Sequence, residues 1–303
     1  MRDLVIIGAG PAGLTAGLYA GRFKLDALIL EKLSCGGQIL LSPSIENYPG
    51  FPEGVSTSEL IDRFKQQAQG LGMSIEDQEV LEVIPKGKFF QVRTQEKVLE
   101  ARAVIVASGA RAKRLGVKGE DKLIGRGVSY CGTCDGPLFK DKAIVVVGGG
   151  DRAIEDALFL AGYAASVSLV HRRDAFRAAS ILVDKLKSNP KVRLVLGSVI
   201  EEIAGEGKVS GVRVRDVKTL KESSIKCDGV FIFVGIIPDT DFVKKILDRD
   251  EFGFIITDQA MRASSPGVFA CGDCVKKSLY QVVNACGEGA VAADAAHKYL
   301  MNL

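Results

Sequence analysis

The feature that most constrains the fold is a glycine-rich turn that occurs twice, each time between an apolar strand and a helix. Near the N-terminus, Leu4-Val5-Ile6-Ile7 runs into Gly8-Ala9-Gly10-Pro11-Ala12-Gly13 and then into a helical stretch ending at Arg22. In this GxGxxG pattern the first glycine permits the tight turn, the second lets a pyrophosphate approach the backbone, and the third allows helix and strand to pack closely. The helix N-terminus offers free N–H groups and a partial positive charge to the phosphates. A second strand, 27–30, ends at Glu31, 23 residues after Gly8. The pattern returns: strand 143–147 leads into Gly148-Gly149-Gly150-Asp151-Arg152-Ala153, read as GxGxxA, and the next strand, 167–170, ends at His171, again 23 residues after the first glycine. Ordinary glycine-rich turns have no reason to share that register. The expected fold is α/β, with two Rossmann-like three-layer nucleotide-binding domains.

The two copies differ where they would meet the adenosine ribose. Glu31 can accept hydrogen bonds from a ribose diol and would repel a 2′-phosphate, which suits FAD or NAD. The second copy ends in His171-Arg172-Arg173, with Arg177 following. Guanidinium groups without a carboxylate suit the 2′-phosphate of NADPH, because Arg forms bidentate charge-assisted bonds to phosphate oxygens. The plainer reading of the same residues is a solvated basic helix start.

Length and composition narrow the class further. A chain of 303 residues accommodates two domains, and 47% hydrophobic residues supply their cores. The net charge of +3, from 40 basic and 37 acidic side chains, is too balanced to argue for nucleic acid or an anionic membrane. No uninterrupted apolar stretch is long enough to span a bilayer. The apolar segment 5–20 is broken by glycines and Pro11, so a signal peptide is not expected. Seven cysteines do not form an even disulfide framework, and a reducing cytoplasm with a few special thiols fits better.

Between the two nucleotide patterns lies Tyr130-Cys131-Gly132-Thr133-Cys134-Asp135. Thiols spaced CxxC can close a small disulfide and tend to have one depressed pKa, which favours exchange through a mixed disulfide. Asp135 is placed to carry a proton if burial raises its pKa. The same spacing is also half of a zinc site, for which Cys271 and Cys274 would have to be the other half. Cys227 and Cys286 read as buried apolar thiols. Cys35 reads as filler or as a neighbour of a flavin, and His297 as a surface residue.

Taken together, the segments Gly8–Gly13, Gly36-Gly37-Gln38, Glu46–Phe51, Ala107-Ser108-Gly109, Cys131–Gly136, Gly148–Ala153, His171–Arg177, Gly235–Pro238, Gly272-Asp273 and Gln281 resemble the low-molecular-weight (bacterial-type) thioredoxin reductases, over nearly the whole chain. That resemblance implies a discontinuous FAD domain, 1–112 and 243–303, into which an NADPH domain, 113–242, is inserted. Chain crossings would fall near Arg111–Leu115 and Gly235–Phe242. It places Gly8, Gly10, Pro11, Ala12, Gly13, Glu31, Ala107, Gly109, Gly272 and Asp273 around FAD, with Gly37, Gln38, Asn47, Gln281 and Val282 along the flavin. Gly148, Gly150, Asp151, Arg152, Ala153, His171, Arg172, Arg173, Arg177 and Gly235 would hold NADPH. It further implies that Cys134 faces the flavin, Cys131 attacks the partner, Asp135 is the acid/base, and the active form is a cytoplasmic homodimer serving thioredoxin or a thioredoxin-like protein.

The chain departs from that family at several points. Arg152 stands where a small residue is usual, Tyr280 where an Arg precedes the glutamine, and Gly132 where the commoner sequence has Ala. The pair Cys271/Cys274 is additional. The high-molecular-weight disulfide reductases match poorly, since their cysteine pair lies early in the first domain. Other acceptors (a glutaredoxin-like protein, a peroxidase component), other donors (NADH, ferredoxin) and a non-catalytic zinc or redox-sensing module remain as alternatives. Because the redox pair lies on the domain that would bind the nicotinamide, pair and nicotinamide would compete for one place beside the flavin. The order of segments therefore predicts a hinge rotation at the two crossings.

Overall fold

The computed structural model describes residues 1–41, 44–45 and 47–303; Glu46 of the resemblance lies outside them. Four residues of the strand Arg2–Ile7 are buried, on alternating faces. Leu4 and Ile6 point into one apolar core, Val5 and Ile7 into another. A strand buried on both faces reads as a continuous apolar run, which is why Leu4–Ile7 shows no polar alternation. Each such side chain contributes roughly 1.5–3 kcal/mol on burial.

The first sheet runs Ser74–Asp77, Ala27–Glu31, Arg2–Ile7, Val98–Val106, Phe89–Thr94, Val80–Lys86. The strand Val268–Ala270 joins Val98–Val106 in parallel, so both ends of the chain build this sheet. Helices Pro11–Arg22 and Val282–Met301 cover one face through Ala12, Leu14, Ala16, Ala292 and Ala296. The opposite core takes in Val83, Phe90 and Val92, with Val243, Leu247 and Ile255. The C-terminal helix runs from Val282 to Met301. Gly289 is a contact point and not a breaker: a Cβ there would lie 2.2 Å from Ala12 O.

The second sheet is entirely parallel, in the order Val128–Ser129, Gly229–Phe233, Ala143–Gly148, Ser166–Val170, Val192–Val195. The alternation repeats. Ile144 and Val146 face helices Asp151–Ala161 and Ser180–Ser188, while Val145 and Val147 face the antiparallel strands Ser198–Ala204, Gly211–Asp216 and Glu222–Lys226. The chain thus forms two Rossmann-like three-layer α/β units, the second lying within the sequence of the first. Where the chain passes between them, Ala110–Ala112 and Ile236–Pro238 pair as an antiparallel ribbon. Ser108 Oγ donates to Asp239 O at 2.5 Å, and Asp239 N to Gly109 O at 3.0 Å, fixing the ribbon's base.

Candidate active site

Both glycine turns open helices whose first residues carry no side-chain cap. Pro11 takes the first helical position, where its missing N–H costs nothing. The remaining N–H groups are left for an anion. Close approach is built into the first turn: a Cβ at Gly8 would fall 2.3 Å from Ala107 O, and one at Gly13 1.8 Å from Gly8 O. Only glycine fits at either position. Glu31 is buried and accepts the Ala9 N–H at 2.8 Å and the Leu33 N–H at 3.1 Å, leaving a further lone pair on each oxygen.

At the other end of this unit, Gly272 N donates to Glu288 Oε2 at 2.8 Å. Glu288 also receives Asn284 Nδ2 at 3.0 Å and pairs with Lys277. The adjacent Asp273 Oδ1 is buried without a hydrogen-bond partner among the described residues, and burial raises the carboxyl's pKa. A buried acceptor with only Lys277 at 3.9 Å, next to Gly272 where that residue packs on Ala12 of the first glycine turn, fits a flavin dinucleotide with hydroxyls to offer. Gly37 and Gln38 lie exposed in the short helix Gly37–Leu41. Cys35 is partly buried against the same core.

In the second copy, His171 occupies the place of Glu31 and behaves differently. It packs directly on the glycine turn, where a Cβ at Gly149 would meet its Cε1 at 2.1 Å, and it stacks on Phe176 at 5.4 Å. Burial, with Arg173, Arg172 and Arg177 adding, lowers its pKa, so the ring is neutral at pH 7. A cavity beside it is lined by Gly148, Gly150, Asp151, Arg152, Ala153, His171, Arg172, Arg177 and Gly235. Arg173 does not line it. Asp151 Oδ1 is held by Ala179 N at 2.7 Å, which ties the turn to the following loop.

The redox turn carries a Cys131–Cys134 disulfide with Cα atoms 5.4 Å apart. Cys134 N donates to Cys131 Sγ at 3.3 Å. Ser129 Oγ donates to Asp135 Oδ2 at 2.6 Å and accepts the Cys131 N–H at 3.1 Å. Cys271 and Cys274 are far from forming a four-thiolate cluster with this pair. They are buried under the first sheet, Cys274 Sγ donates to Cys271 O at 3.2 Å, and burial pushes its thiol up to about 11. Among the described residues no group of three or more potential ligands is set for a metal.

A polar chain among the described residues links the turn to the other unit. Asn47 Nδ2 donates to Gln281 Oε1 at 3.0 Å, and Gln281 Nε2 reaches Thr133 Oγ1, between the two cysteines, at 3.5 Å. The helix that begins at Val282 starts here. Two residues that the sequence reading passed over also belong to this region. Glu120, buried, accepts Tyr130 OH at 2.8 Å and the backbone N–H groups of Gly116 at 2.7 Å and Leu115 at 3.0 Å. Asp156 lies against Gly132, and burial lifts its carboxyl to about 6. Both are acids in otherwise solvated contexts, so nothing local marks them.

Elsewhere the structure corrects smaller expectations. His297 is half-buried at the surface and has a partner there: it stacks on Phe23 at 4.4 Å with Nδ1 buried. Cys286 is only partly buried and receives Tyr48 OH at 3.9 Å, whereas Cys227 is buried.

A family model described as pyridine nucleotide-disulphide oxidoreductase matches residues 2–289. The chain is 43% identical over 302 residues to a thioredoxin reductase of Listeria monocytogenes, covering 99% of this chain and 94% of that one. Among solved structures, a thioredoxin reductase of Streptococcus pyogenes superposes with a TM-score of 0.92 at 42% identity, covering 100% and 99% of the two chains. A Lactococcus lactis thioredoxin reductase, described as in its FR conformation, gives 0.74 at 38% identity with both chains covered fully.

Proposed function

The chain belongs to the pyridine nucleotide-disulphide oxidoreductases, in the thioredoxin reductase branch, and on that premise we propose that it carries electrons from NADPH, by way of FAD and the Cys131–Cys134 pair, to thioredoxin. The observation that carries this path is the Gln281–Thr133 contact, which seats the redox turn against the residues expected beside a flavin ring. We take residues 1–112 and 243–303 as the FAD unit and 113–242 as the NADPH unit. When bound, FAD supplies two-electron transfer between nicotinamide and disulfide.

The chain's own residues do the rest. Gly10 admits the pyrophosphate to a turn that Gly8 and Gly13 keep tight, Pro11 and Ala12 begin the helix that faces it, and Glu31 takes the ribose. Ala107, Gly109, Gly272 and Asp273 close the other side, while Gly37, Gln38, Asn47, Gln281 and Val282 frame the ring. In the second unit Gly148, Gly150, Asp151, Arg152, Ala153 and Gly235 shape the pocket; Arg172 and Arg177 bind the 2′-phosphate, and neutral His171 serves as a packing platform. Cys134 faces the flavin, Cys131 attacks the partner disulfide, and Asp135 holds or returns the exchange proton.

On this reading the redox turn and the nicotinamide compete for one place beside the flavin, and turnover proceeds by rotation about the paired crossings. A TM-score of 0.92 against one relative and 0.74 against another, both fully covered, supports two arrangements of the same units. The reading carries with it a cytoplasmic homodimer. No helix among the described residues is long and apolar enough to cross a membrane.

Anaerobic titration tests donor and acceptor together. The purified protein is expected to be yellow, to bleach with NADPH at far lower concentration than with NADH, and to recover colour on adding oxidised thioredoxin. A colourless protein, or one that NADPH leaves unbleached, overturns the reading.

A further inference from the structure

Gly132 of the redox turn and Arg152 of the second glycine turn meet on one side chain. Asp156 lies one helical turn after Arg152 on Asp151–Ala161, with its side chain 13% exposed and Oδ2 3.7 Å from Arg152 Nε. A Cβ on Gly132 would fall 2.5 Å from Asp156 Oδ1 and 3.0 Å from its Cγ. The carboxyl therefore occupies the room a methyl group would take, against the backbone between Cys131 and Cys134. An alanine at 132 would push it away.

Arg152 faces two ways. It pairs with Asp156, and it lines the second nucleotide pocket with its guanidinium 5.9 Å from the Phe233 ring centre. Burial raises the Asp156 carboxyl to about 6, with Arg152 opposing the rise and Glu155 adding to it. Above that pH a negative charge sits beside the redox turn. On the packed redox segment the other titratable groups are the two thiols and Asp135, the last held by Ser129.

We propose that Arg152 and Asp156 form a charge link between the nucleotide pocket and the redox pair. The Asp156 carboxylate opposes loss of a proton from the reduced pair to solvent, Arg152 offsets it, and an anion that engages Arg152 in the pocket weakens the offset. The link rests on reading that pocket as a nucleotide site. It lets occupancy of the pocket be felt as a change in thiolate fraction, without movement of either cysteine.

The test is the pH profile of iodoacetamide alkylation, using holoenzyme reduced anaerobically with dithiothreitol and desalted. Asp156→Asn is expected to lower the thiol inflection by about half to one pH unit, as loss of a neighbouring like charge should. Gly132→Ala is expected to shift it the same way, and it carries the test if Asp156→Asn does not fold. Arg152→Gln is expected to shift it upward. Saturating inorganic pyrophosphate is expected to raise the inflection of the native enzyme and to leave that of Arg152→Gln unmoved.

Opposed shifts from the two charge removals separate a charge effect from loosened packing, which would move both variants alike. Shifts of one sign, coincident profiles, or a pyrophosphate effect that persists in Arg152→Gln would overturn the link. The readout uses neither NADPH nor thioredoxin. Opposed shifts in an enzyme that fails the titration above therefore support the link while sinking the electron path.

Discussion

Ser129 donates a 2.6 Å hydrogen bond to Asp135, so the carboxyl that follows Cys134 is held by the residue two places before Cys131. The same hydroxyl accepts the Cys131 N–H, which makes Ser129 the point that ties both ends of the redox turn together. Exchange at the pair needs a proton delivered or removed as each sulfur changes partner. Asp135→Asn is expected to slow thioredoxin reduction by about 10²–10⁴-fold, the usual worth of a positioned acid/base. Flavin reduction by NADPH should remain unchanged. Rapid-reaction measurement of the two half-reactions checks this.

Gly289 and Ala12 bring the C-terminal helix into backbone contact with the first glycine-turn helix. Gly289→Ala cannot be absorbed by a flexible side chain, because the atom it meets is a carbonyl oxygen. The variant is expected to lose ~1–3 kcal/mol of stability to overpacking and to purify with less FAD. Thermal melting and the flavin-to-protein absorbance ratio read both effects.

Glu120 collects the Tyr130 hydroxyl and three backbone N–H groups just beyond the chain crossing. Glu120→Ala removes the buried acceptor from these partly buried donors, at a cost of ~1–3 kcal/mol. Glu120→Gln, which keeps an acceptor, is expected to lose less. Melting temperatures of the two variants, compared side by side, are the check.

Arg172 and Arg177 border the second pocket, and a 2′-phosphate would draw on both. Their joint replacement by Ala is expected to raise KM for NADPH by ~10–150-fold, the loss of one or two hydrogen bonds to a charged group. The KM for NADH should stay within about twofold, since that cofactor lacks the phosphate. Steady-state kinetics with both donors decides it.

Burial lifts the Asp156 carboxyl from an ordinary 3.8 to about 6. A raised folded-state pKa favours the native state most at low pH, and that advantage is lost as pH rises through about 6. Relative to the native enzyme, Asp156→Asn should therefore be equally stable near pH 4 and more stable at pH 8. The difference is bounded at ~3 kcal/mol. Melting curves at the two pH values test the sign, and a variant whose advantage shrinks with rising pH would contradict it.

The two glycine turns and the redox pair were legible in the sequence because their chemistry is local. Gly13 answers to a backbone clash with Gly8 within one strand–turn–helix unit, and CxxC spacing needs only its own turn. What stayed hidden depends on segments far apart in the chain. Nothing near Thr133 announces Gln281, and nothing near Gly132 announces Asp156. His171 misled for a related reason. Its neighbours are guanidinium groups, so the sequence reads as a cationic cluster, yet packing against Phe176 and Gly149 makes the ring neutral. Glu120 is the same lesson reversed: an acid whose partners are backbone N–H groups leaves no complementary side chain to read.

The ribbon of Ala110–Ala112 and Ile236–Pro238 means that the segment between them leaves and rejoins its host at hydrogen-bonded neighbours. Cutting there and joining Ala112 to Ile236 would need only a tight reverse turn, so the host chain could close with almost no loop entropy. The excised piece would have its own two ends side by side. By this construction about two-fifths of the polypeptide forms one continuous insertion, and exchanging or deleting it would not rethread the sheet that receives it.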